Sequence, residues 1–353
     1  MNTLPLEKAE QIAFGLRSLY RRYGYTQYKM SKFEEYDLYA SNKDFLLSEN
    51  VITFTDLSGK LMALKPDVTL SIVKNSRDDA DGLQKLYYHE NVYRVSKNSQ
   101  GFREIQQVGL ETLGNVDDYS ILEVLQLAAK SLEAISDDCI LEISHLGVMT
   151  ALTEDLTAQQ KAEIFRCIGS KSVHELAKVC REAGVAEETA QLLKVLASCG
   201  GAPEVVLPEV KALLGESKPL QLLEQISTLL QGKCRIRIDF SVVDDIHYYN
   251  GIVFKGFVRG VPDAVLSGGQ YDKLMRKMKR KSGAIGFAVY LDLLERLEND
   301  TEDFDVDTVL VYEDASMAQV SAAVQELQEK GICVAAYRKI PEGLRYREAI
   351  FVR

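Results

Sequence analysis

Two long runs, LQKLYYHENVYRV (residues 83–95) and FREIQQVGLETLG (102–114), do most to limit what this chain can fold into. Both are rich in strand-forming residues, and the polar stretch SKNSQG joins them. That pattern predicts a long β-hairpin with a polar tip. A second hairpin is expected in VITFTDLSGKLMALKP (51–66), where Ile52 and Phe54 alternate with polar residues and LSGK supplies the turn. Strand signals return at CRIRIDFSVV (234–243), with Ile236, Ile238 and Phe240 on one face and Arg235, Arg237 and Asp239 on the other. IVFKGFV (252–258) and GAIGFAVY (283–290) follow.

Helical patterns surround these strands. Ile12, Leu16, Leu19 and Tyr23 fall on one face of a helix expected over residues 5–23, which Gly24 ends. A short helix is expected from Asp67 to Val73. Asp117 or Asp118 can cap another running to about Ile135, with Ile121, Leu122, Leu125 and Leu132 inward. From about residue 147 to 231 the pattern is helical throughout, and Ser172 with Glu175 matches a capping box. After the charged stretch ENDTEDFD, residues 305–353 read as strand, helix, strand and one further strand at AIFVR.

Antiparallel strands with helices segregated around them give an α+β class. The expected domains are a split antiparallel core (1–147 and 232–300), a helical insertion (148–231) and a short α/β tail (304–353). The net charge of -10 argues against a general nucleic-acid binder, while leaving room for a local basic patch. No apolar run reaches the length of a membrane span, and the N-terminus lacks a signal-peptide pattern, so the expected compartment is cytoplasmic. Six scattered cysteines without a CxxC pair, and four histidines, argue for reduced thiols and against a metal cluster; no cofactor or metal is expected. The basic run KLMRKMKRKSG (273–283) suits phosphate, RNA or an acidic partner, or simply a solvated helix face.

The order of the motifs resembles the class II histidyl-tRNA synthetase family over about residues 5–300. LKPDVT (64–69) matches that family's substrate loop. VYR (92–94) with FREIQQVGLETLG matches motif 2, DDIHYYNGIVFK (244–255) the histidine-specific block, SGGQYD (267–272) the glycine-rich segment, and GFAVYLDLL (286–294) motif 3. The resemblance implies a class II synthetase-like antiparallel sheet flanked by helices. It also implies a histidine pocket in which Asp67, Thr69 and Gln107 hold the α-amino group, while Glu111 with Tyr248 or Tyr249 holds the imidazole. An ammonium wants an anion and neutral acceptors, and an imidazole wants a donor and an acceptor.

The departures fall on the catalytic arginines. Asp244 stands where the histidine-specific block carries its arginine, Leu293 where motif 3 carries its own, and Ser31 where motif 1 carries proline. Arg94 and Arg103 remain as remnants of a phosphate site. An anionic adenylation transition state needs fixed positive charge, and losing one such arginine commonly costs roughly 10³–10⁵ in rate. A retained pocket with lost catalysis is similar to the family of ATP phosphoribosyltransferase regulatory subunits. That similarity implies a non-catalytic protein of histidine biosynthesis, a dimer within a hetero-oligomer. Its partner is the short-form catalytic subunit and its ligand histidine. An active histidine-tRNA ligase, and a histidine-sensing or RNA-binding paralogue, are the alternatives.

Overall fold

The computed structural model describes residues 8–43, 46, 51–76, 82–95, 101–230, 232–243, 248–297 and 304–353. Asp244, Asp245, His247, the hairpin tip 96–100 and the linker residues 298–303 lie outside the described residues. The chain divides into two compact units, Lys8–Arg296 and Leu297–Arg353.

A nine-stranded sheet organises the first unit among the described residues. Its strands run, edge to edge, Thr26–Gln27, Leu83–Val95, Phe102–Gly114, Gly283–Tyr290, Leu266–Gln270, Ile252–Val258, Cys139–His145, Arg235–Asp239 and Gly200–Gly201. The six from Leu83–Val95 to Cys139–His145 are antiparallel throughout. Thr26–Gln27 and Arg235–Asp239 join them in parallel. The expected second hairpin forms as Thr53–Thr55 and Leu61–Leu64, extended by Phe33–Glu35 into a separate three-stranded sheet.

Alternation along the strands gives the sheet two different faces. Tyr87, Leu110, Phe287, Gly268 and Phe254 are cross-strand neighbours in one row. This row faces the helices Lys8–Arg22 and Asp118–Ile135, and Tyr20 packs edge-on to Phe287 with centroids 6.0 Å apart. The next row, Leu86, Glu111, Gly286, Gly269 and Val253, points to the opposite face.

The first helix buries Ile12, Ala13, Leu16 and Tyr20, while Leu19 and Tyr23, expected inward, are only partly buried. Tyr20 wins because its hydroxyl finds Ser131 Oγ at 3.0 Å inside the core, so the apolar stripe follows an i, i+4 line. Gly24, at φ +84°, closes this helix. Asp117 caps Asp118–Ile135 by accepting from the Ser120 amide at 2.8 Å. Ile121, Leu125 and Leu132 are buried there, and Leu122 is partly so.

Six helices occupy 146–229, between the parallel strands Cys139–His145 and Arg235–Asp239. The expected capping box at Ser172 does not form: the Ser172 amide is taken by the Cys167 carbonyl at 2.9 Å, its side chain makes no cap bond, and Glu175 pairs with Arg166 at 2.8 Å. A complete box is found at Thr157 with Gln160 instead. In the second unit Val306–Tyr312 lies between Val334–Tyr337 and Tyr346–Val352, all parallel, with the helix Met317–Glu329. The strand expected at AIFVR is therefore present.

Candidate functional site

The Glu111 face of the sheet carries a cavity of about 50 Å³. Glycines make the room. A Cβ on Gly286 would sit 1.7 Å from Glu111 Oε2, and one on Gly269 would sit 2.8 Å from the Tyr249 ring. A side chain at either position would displace a group that lines the cavity. Ser267 and Ala288, opposite one another in register, continue this small-residue floor.

Glu111 is buried at the centre. Thr69 Oγ1 donates to its Oε1 at 2.8 Å, and the Tyr271 hydroxyl donates to its Oε2 at 2.6 Å. Burial dominates its ionisation and outweighs these two bonds, with the nearby Asp67 charge adding to the effect, so its acid is pushed up to about 8. Asp67 opens the short helix Thr69–Asn75, where its Oδ1 accepts from the Leu70 amide at 2.8 Å. Burial also raises the Asp67 acid, against the pull of the Arg94 guanidinium. Arg94 Nε is held by the Pro66 carbonyl at 2.8 Å.

Gln107 is buried on the cavity wall, and its Nε2 makes no hydrogen bond among the described residues. A buried amide donor left this way costs roughly 1–3 kcal/mol, which a ligand acceptor would recover. Tyr248 and Tyr249 stack edge to face with centroids 4.7 Å apart, and Tyr248 reaches Tyr271 at 5.7 Å. Burial holds the hydroxyls of Tyr88, Tyr248 and Tyr271 neutral.

Asp67, Thr69, Gln107, Glu111, Tyr248 and Tyr249, separated by up to 182 positions in sequence, thus line one cavity. Arg94 reaches it as well. Arg103 does not line it: although directly opposite Arg94 in the ladder, its exposed guanidinium lies 3.7 Å from Asp292. Tyr88, Tyr271 and Tyr290 also line the cavity and were not singled out from sequence. Tyr271 had a signal, since it closes the SGGQYD motif, whereas Tyr88 sat in an undifferentiated strand. His145 is a helix cap, accepting from the Gly147 amide at 3.0 Å, and burial lowers its pKa to about 4. Among the described residues no group of three His, Cys, Asp or Glu could hold a metal, and no helix is long and apolar enough to cross a membrane.

The family model for histidyl-tRNA synthetase matches residues 4–294. An ATP phosphoribosyltransferase regulatory subunit from Clostridium kluyveri is 29% identical over 348 residues, covering 92% of this chain and 88% of its own length. A solved structure described as an ATP phosphoribosyltransferase regulatory subunit/histidyl-tRNA synthetase from Bacillus halodurans superposes with a TM-score of 0.75. It is 20% identical and covers 99% of this chain and 96% of that one. A chain of the ATP phosphoribosyl transferase complex of Thermotoga maritima superposes with a TM-score of 0.64 at 19% identity, covering 81% and 98%. At these identities the two structures speak for the fold.

Proposed function

The chain belongs to the histidyl-tRNA synthetase family, and from that premise we propose that it acts as a regulatory subunit and not as a ligase. In this reading it binds histidine, activates a short-form ATP phosphoribosyltransferase catalytic subunit, and carries feedback inhibition by histidine to that partner. The name of its relative supports the assignment. The observation that carries it is the cavity itself, a buried polar site of amino-acid character in which Arg94 is the one arginine among the described lining residues. A single arginine is a poor match for the anionic transition state of adenylation.

The chemistry of histidine binding follows from the groups present. Both Glu111 oxygens already accept from hydroxyls, so a proton on Glu111 needs a further acceptor. A neutral imidazole nitrogen supplies one, and acid and base then share a single proton. Asp67 and the Gln107 carbonyl oxygen would receive the α-ammonium, while the unpaired Gln107 Nε2 would donate to the ligand carboxylate. Tyr248 and Tyr249 would wall the ring.

The test is reconstitution. This protein is mixed with the short catalytic subunit, and phosphoribosyl-ATP formation is followed with and without histidine. Stimulation that histidine reverses is the expected result. Absence of both binding and stimulation, together with histidine-dependent ATP–pyrophosphate exchange by this chain alone, would overturn the reading in favour of a ligase.

A further inference from the structure

Among the described residues two lysines hold the left-handed backbone region that glycine ordinarily takes, Lys171 at φ +53° and Lys279 at φ +60°. Both close a helix by the same pair of bonds. The Ser172 amide reaches the Cys167 carbonyl and the Lys171 amide that of Ile168, each at 2.9 Å. In the second case the Arg280 amide reaches Met275 at 2.8 Å and the Lys279 amide reaches Arg276 at 2.9 Å. This is the helix stop at which glycine carries no strain.

At Lys171 the strained lysine has an evident use. Its Nζ lies 2.7 Å from the buried Asp239 carboxylate. At Lys279 the backbone is the same, but the side chain is exposed and makes no ion pair among the described residues. A turn that only meets water gains nothing from lysine over glycine here, so the strain points to a carboxylate that is not among the described residues.

The surroundings fit such a partner. Arg276, Lys277 and Lys281 are exposed beside Lys279, in a chain whose net charge is -10. The turn is also rigid. Leu274 and Met275 are fully buried beneath it, Asp272 accepts from the Ala284 amide at 3.0 Å, and the Arg280 guanidinium donates to the Lys74 carbonyl at 2.9 Å. A preordered cationic surface loses little freedom on binding. Its small extent, within a strongly negative molecule, suits a local acidic patch on a protein better than an extended polyanion.

We propose that the turn 276–281 is a docking surface for an acidic face of a partner protein, with Arg276 and Lys279 as its central cations. Choosing the short catalytic subunit as the probe rests on the regulatory reading above. The experiment measures binding of that subunit to the full chain, at two salt concentrations, for the natural protein, Lys279→Gly and the double variant Arg276→Glu/Lys279→Glu. Lys279→Gly is expected to melt no lower and to bind histidine unchanged, yet to bind the partner about 3- to 10-fold more weakly. The double reversal is expected to lose about tenfold or more, since it sets like charges face to face, and natural binding should weaken as salt rises.

Equal partner affinity for all three proteins would overturn the docking surface while leaving the regulatory reading intact. Failure of the natural protein to bind the subunit would overturn both. A single-stranded RNA that binds the natural protein but not the double variant, with partner affinity unchanged, would overturn the proposal in favour of nucleic acid.

Discussion

Replacing Glu111 with glutamine tests the electrostatics of the cavity directly. The carboxylate is buried, and its pKa rises from the 4.5 of an ordinary glutamate to about 8. In the unfolded chain the group ionises near 4.5, so between these limits the folded state binds the extra proton. Folding stability from this group is therefore fully present below pH 4.5 and is lost as pH climbs through 8. The loss approaches ~1.4 kcal/mol per pH unit, with a ceiling of about 5 kcal/mol over the whole window. Glutamine keeps the shape and cannot ionise. Asp67 titrates in both proteins and largely cancels in the difference. Urea unfolding of the histidine-free proteins at several values from pH 5 to 8 should show Glu111→Gln gaining on the natural protein steadily as pH rises. Histidine binding, measured by calorimetry, should fall by roughly 10- to 100-fold, the range of a hydrogen bond involving a charged group. A stability gap independent of pH would refute the reasoning, because Glu111 would then be ionised or solvated in the folded protein.

The shared proton also predicts that histidine affinity is bell-shaped in pH. It should be greatest between about 6.5, where free imidazole protonates, and the Glu111 value of about 8, and calorimetry across pH 5.5–9 checks this. Tyr271→Phe removes the 2.6 Å donor to Glu111, which should push the acid higher still and weaken histidine binding about tenfold, read by the same titration. Gly286→Ala puts a methyl 1.7 Å from Glu111 Oε2 and 2.5 Å from the Leu110 carbonyl; it should cost about 1–3 kcal/mol in urea unfolding and abolish histidine binding. Tyr20→Phe, on the other face of the sheet, should cost about 1 kcal/mol through the lost Ser131 bond and leave histidine affinity unchanged.

Sequence alone determined the elements whose causes are local. Strand-rich runs around a polar tip marked one hairpin and period-two alternation the other, Asp117 or Asp118 announced a helix, and Gly24 ended another. The order of five motifs pointed to the family, and through that resemblance to Glu111 as a ligand-facing carboxylate. It also marked Asp244 and Leu293 as departures, because a missing arginine is legible without coordinates. Tertiary structure decided what depends on which neighbour arrives. It turned the first helix toward Tyr20 through Ser131, gave Glu175 to Arg166 in place of a capping box, and sent Arg103 toward Asp292 and away from the cavity. Above all it decided the state of Glu111. Its identity is written in the chain, but its pKa is raised first by burial, then tempered by bonds from Tyr271 and Thr69 and raised further by Asp67, all distant in sequence, with Gly286 leaving room for the carboxylate. Burial is a property of the assembled sheet, and no local pattern encodes its magnitude.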